Sequence, residues 1–73
     1  MKPITIDPLA QVAYNRFTLR EQTRLRWAVR QAQNGSAVEL VQYGHGVFSF
    51  RFENVRVFAE DRLQEIRVMH IMQ

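Results

Sequence analysis

Seventy-three residues suffice for one small domain, here taken as residues 1–73, and leave no room for a second core. The chain has no cysteine, which excludes a disulfide scaffold and any thiolate metal site. An apolar fraction of 47% with a net charge of +3 excludes a disordered polar chain and leaves a basic globular domain.

Nine of the ten cations are arginine, the residue suited to two-pronged contacts with phosphate or carboxylate. Such a balance leans towards nucleic acid or an acidic protein partner. No stretch reads as a signal peptide or is long and apolar enough to span a bilayer, so the expected location is the cytoplasm.

In chain order, Met1 to Ile6 reads as a short edge strand, since Pro3 confines it to an edge or a first position. Asp7-Pro8 reads as an N-cap followed by proline at the first helical position, opening a helix to about Arg16. Leu9, Val12 and Ala13 are expected on its apolar face. Thr18 and Glu21 have capping-box spacing and open a longer helix, Leu19 to about Gln33, stopped by Asn34-Gly35.

Leu25, Ala28, Val29 and Ala32 form that helix's apolar stripe. Arg20, Arg24 and Trp27 lie away from it. They read either as a solvated face with Trp27 tucked under a neighbouring segment, or as a partner-binding surface with an aromatic anchor.

The rest, Val38 to Ile71, holds four runs rich in β-branched and aromatic residues with turn chemistry between them. They predict a four-stranded antiparallel meander under the two helices, an α+β fold. Gly44-His45-Gly46 suits a tight hairpin, and Glu53-Asn54 a two-residue turn with Asn54 in the left-handed region.

That second turn sets Phe52 opposite Val55, Arg51 opposite Arg56 and Phe50 opposite Val57. Phe48, Phe50, Phe52, Val55 and Val57 then share the apolar face; Ser49, Arg51, Arg56 and Phe58 share the other. A loop at Glu60 to Leu63 would set Ile66 opposite Val57 and Arg67 beside Arg56. Arg51, Arg56 and Arg67 would thus form a row across three strands. Like charges so opposed destabilise a sheet unless offset. The offset is either Glu65 or Glu39 nearby, or a bound anion such as RNA phosphate.

Few other groups carry chemistry. His45 falls at a hairpin tip. His70 is a candidate acid or base, but strict alternation puts it on the apolar face. Two histidines and scattered carboxylates lack metal-ligand spacing, and Ser49 has no base beside it. No metal and no cofactor is expected.

The element order β–α–α–β–β–β–β, with the run Val47 to Glu60, resembles the RelE/ParE superfamily of type II toxin–antitoxin toxins. Phe48-Ser49-Phe50-Arg51-Phe52-Glu53-Asn54-Val55-Arg56-Val57-Phe58 is similar to that family's paired-strand motif with two arginines, and Arg67-Val68-Met69-His70 to its last-strand R-V-G-H. Ser49 stands where RelE-like enzymes often carry a basic residue, Met69 replaces the usual glycine, and Ile71 replaces an arginine.

The resemblance implies a toxin neutralised by a cognate antitoxin. RelE-like members cut messenger RNA in the ribosomal A site, with the RNA's own 2′-hydroxyl as nucleophile; ParE-like members inhibit DNA gyrase. It implies catalytic roles for Arg51, Arg56 and His70, and RNA contacts from Arg51, Arg56 and Arg67. The alternative is a non-catalytic interaction module or inhibitor, a gyrase-targeting one included, binding through Arg20, Arg24 and Trp27.

Overall fold

Asp7 and Thr18 start the two helices as the sequence predicts. The Asp7 carboxylate accepts from the Leu9 N–H at 2.9 Å. The Thr18 hydroxyl accepts from the Glu21 N–H, and the Glu21 carboxylate accepts from the Thr18 N–H, closing the capping box. The computed structural model describes residues 1–73. Its elements are β1 (Ile4–Ile6), α1 (Pro8–Arg16), α2 (Leu19–Gln33), β2 (Val41–Gly44), β3 (Val47–Phe52), β4 (Val55–Asp61) and β5 (Ile66–Met72).

The sheet has five strands in the order β1-β5-β4-β3-β2, one more than the predicted meander. β2 to β5 pair antiparallel as expected, while β1, the anticipated edge strand, lies parallel to β5. Only tertiary contact fixes that pairing: the Ile66 N–H donates to the Pro3 carbonyl and the Asp7 N–H to that of Val68. The α+β class stands, and the sheet is mixed.

Both helices cover one face. Leu25, Val29 and Ala32 of α2, with Ala10 and Tyr14 of α1, form a single core with Phe48, Phe50, Phe52, Val55, Val57, Ala59, Ile66, Val68 and Ile4. The α2 stripe is as read. The α1 face is not: Leu9 and Val12 are 77% and 64% exposed, and Ala10 and Tyr14 take the core positions. α1 follows β1 at the sheet edge and packs beside β5, so only a narrow line of it reaches the interior.

Arg26 donates to the Tyr14 hydroxyl and the Ile4 carbonyl, and Arg30 to the Lys2 carbonyl. Those two arginines tie α2 to the N-terminal segment. No helix is long and apolar enough to cross a membrane.

The β3–β4 register is the predicted one, with Phe52 opposite Val55, Arg51 opposite Arg56 and Phe50 opposite Val57. The turn between them differs in detail: Glu53, not Asn54, takes positive φ, at 55°. The Glu53 carboxylate is ion-paired to Arg24 on α2, which anchors the turn from outside.

The β4–β5 register departs from expectation. β4 runs on to Asp61, and the turn shifts to 62–65, closed by the Arg62 N–H on the Glu65 carbonyl. Arg67 therefore faces Glu60, and Met72 lies opposite Arg56.

A bulge adds a second correction. Val68 pairs with Ala59 but His70 with Phe58, leaving Met69 as the extra residue. Past it the alternation inverts. His70 is exposed, and Ile71, opposite Val57, packs against the core in its place.

Candidate nucleic-acid interface on the open sheet face

The sheet face away from the helices carries Ser49 and Arg51 of β3, Arg56 and Phe58 of β4, and Arg67 and His70 of β5. Arg51 and Arg56 are cross-strand partners, as predicted. Arg67 does not extend their row. It sits opposite Glu60, four residues along β4 from Arg56, or about 13 Å at the ordinary strand rise.

The two ends of this face differ in charge. At one end Glu39 spans both arginines: one carboxylate oxygen accepts from Arg51 Nε at 3.1 Å, the other from Arg56 Nη2 at 3.2 Å. Both Nη groups of Arg56 also donate to the Glu39 carbonyl. Two cations thus share one carboxylate, and Arg51 donates through Nε alone. At the other end Arg67 pairs with Asp7 at 3.0 Å and lies 3.9 Å from Glu65, while Arg62 pairs with Glu60 and Glu65. Three carboxylates there outnumber two arginines. The Leu9 N–H, and then Arg67, hold the Asp7 carboxyl below the ordinary aspartate value.

Ser49 is fully buried although it lies on this face. Its hydroxyl accepts from Arg56 Nη1 at 2.7 Å and lies 2.8 Å from the Tyr43 hydroxyl. Arg56 is thereby held by its neighbours, with its side chain only 25% exposed. The Tyr43 ring stacks on Phe58 at 6.2 Å between centroids and is half exposed. Tyr43 escaped the sequence reading: it is the extra residue of an irregularity between Gln42 and Gly44 in the β2–β3 pairing, which strict alternation does not place.

His70 lies opposite Phe58, two strands from Ser49, or about 10 Å between strand axes. No group of three or more His, Cys, Asp or Glu is placed to hold a metal ion.

The chain shares its fold with chains of solved toxin–antitoxin complexes. One structure is described as the heterotetrameric YoeB-YefM toxin-antitoxin complex of Staphylococcus aureus; it matches at TM-score 0.72 and 13% identity, over 100% of this chain and 97% of that one. A second YoeB-YefM complex from Staphylococcus aureus matches at TM-score 0.73, again at 13% identity and the same coverage. A RelB-RelE antitoxin-toxin complex from Methanococcus jannaschii matches at TM-score 0.58 and 12% identity, over 94% and 88% of the two chains. No protein family and no curated protein matches by sequence.

The second candidate surface is on α2. Arg20, Arg24 and Trp27, spaced four and three apart, share one side of the helix, and all three are exposed, Trp27 by 65%. Trp27 is not tucked under a neighbouring segment. It borders a groove of about 490 Å³ with Ala28, Val38, Phe50 and Phe52. Arg24 lies over the Phe52 ring at 5.9 Å and pairs with Glu53 at the rim. Arg51 lines this groove as well as the open sheet face.

Proposed function

We propose that this chain is a toxin-like component of a type II toxin–antitoxin system that acts on RNA at the ribosome through its open sheet face. The observation that carries the reading is the Arg51–Arg56 pair, two cations served by one carboxylate beside an exposed tyrosine. Arginines hold phosphates, and aromatic rings on a sheet face stack unpaired bases. The fold likeness to chains of toxin–antitoxin complexes agrees with it.

On this reading Arg51 and Arg56 take the phosphate flanking the cut, and they stabilise the charge that develops on it. His70, exposed on the same face, serves as the proton-transfer group. Arg67 contributes less, because Asp7, Glu60 and Glu65 surround it. The cognate antitoxin is the protein partner, and no cofactor takes part.

The test is titration of a short single-stranded RNA at several salt concentrations. Arg56→Ala is expected to weaken binding and to reduce the salt slope by about 0.7, one phosphate's worth for a single strand, with the fold intact. Binding and slope unchanged by that substitution would return the pair to a solvated face.

A second reading is favoured by the exposure of Trp27: a module that binds a protein through Arg20, Arg24 and the Trp27 groove, with gyrase inhibition as one form of it. Aromatic and arginine anchors dominate interfaces, with truncation costs of about 2 kcal/mol or more. Trp27→Ala is expected to leave the isolated protein's stability within about 0.5 kcal/mol, and the wild type to show red-shifted tryptophan emission. Blue-shifted emission with a large fall in Tm would make Trp27 a core residue and remove this surface.

A further inference from the structure

We infer that Glu39 is the chain's own competing ligand for the phosphate seat that Arg51 and Arg56 form above the buried Ser49. For its biological ligand the inference rests on the RNA reading above; the seat itself rests on geometry.

Glu39 holds the arginines as a phosphate would. Its two carboxylate oxygens go to two different guanidiniums, Oε2 to Arg51 and Oε1 to Arg56, just as two non-bridging phosphate oxygens can be divided. Without Glu39's side chain Arg56 stays held, because the buried Ser49 hydroxyl fixes its Nη1 from below, Tyr43 backs Ser49, and the Glu39 carbonyl accepts from both Nη groups. Arg51, which donates from its side chain to that carboxylate alone, is left to the incoming ligand.

The ligand, by contrast, is placed at a cost. Glu39 has φ 51°, in the left-handed region that an L-residue with a long side chain rarely adopts. Glycine is the ordinary choice there, so the side chain is what this position uses. Glu39 lies outside every helix and strand, between α2 and β2, and its side chain is 55% exposed. The backbone here is tied to the sheet by the Arg51 N–H on the Val38 carbonyl and by Arg56 on Glu39's own carbonyl, so it is the side chain that is free to leave. A carboxylate so exposed is displaceable, and one negative charge leaves the two cations a surplus for a phosphate to complete.

Each part-exposed ion pair is worth a factor of a few at most, and an incoming phosphate must displace two. Removing the Glu39 charge should therefore tighten phosphate binding about tenfold.

The experiment titrates inorganic phosphate and, separately, a single-stranded RNA hexanucleotide into wild type, Glu39→Gln and Glu39→Gly. Binding is followed by the NMR signals of the Arg51 and Arg56 Nε–H groups. Glutamine keeps the size and loses the charge; glycine removes the side chain and accepts the positive φ, so a folding defect in one variant leaves the other to decide.

Phosphate tightening about tenfold in both variants is the expected result. Phosphate binding unchanged or weaker in the folded variants overturns the inference. If phosphate tightens while no protein binds the hexanucleotide, the seat stands and the RNA reading fails. If the wild type binds the hexanucleotide through Arg56 and the Glu39 variants match it for both ligands, the RNA reading stands and the competing-ligand inference fails.

Discussion

Phe50→Ala is expected to cost about 3–5 kcal/mol and to leave much of the chain unfolded at room temperature. Phe50 is 1% exposed at the centre of β3 and stacks on Phe48 at 6.3 Å between centroids. It belongs to the same core as the α2 stripe of Leu25, Val29 and Ala32, so truncation leaves a cavity that two helices and a sheet would have to collapse together. A domain of 73 residues has a total stability of only about 4–11 kcal/mol, so the substitution removes a large share of it. Chemical denaturation of the variant measures this, and a midpoint near that of the wild type would refute the core assignment.

The second large effect concerns growth. Expression without an antitoxin is expected to slow growth strongly, and Arg51→Ala combined with Arg56→Ala is expected to relieve it. The two side chains are cross-strand neighbours that share Glu39, so either alone leaves a cation in the seat and the double change removes both. The fold should survive. Both side chains lie on the open face outside the core, and buried Ser49 retains its Tyr43 partner. Soluble double variant that still arrests growth would show that toxicity does not act through these arginines.

Much of this architecture was legible in the residues because local chemistry agreed with the fold. Asp7-Pro8, the Thr18–Glu21 box and Gly35 mark helix ends through backbone hydrogen bonds and φ alone, and they fall where expected. The β3–β4 register followed from a two-residue turn and from the need to keep Arg51 and Arg56 out of the core.

What stayed hidden depends on contacts remote in sequence. The parallel pairing of β1 with β5 joins segments about sixty residues apart and leaves no periodic signal. The bulge at Met69 has no glycine to announce it, yet it moves His70 from the expected core face to the open one. The shift of the β4–β5 turn to 62–65 moved Arg67 away from Arg56, because Glu60 and Asp61, which read as turn residues, continue β4. The Arg51–Arg56 half of the candidate site was therefore visible in the sequence; the three-arginine row was not. Glu39 could be named as a possible partner of the arginines, while its left-handed backbone, at a non-glycine position, could not.

The most direct measurement of the central claim is sequencing of transcript 5′ ends after brief expression of the wild type and of the Arg51→Ala, Arg56→Ala double variant. Action on RNA at the ribosome predicts new ends inside codons of translated messages in the wild type and none in the double variant. Growth arrest with intact transcripts and DNA damage would contradict it and point to gyrase; no growth effect at good soluble expression would contradict it in favour of the Trp27 binding module.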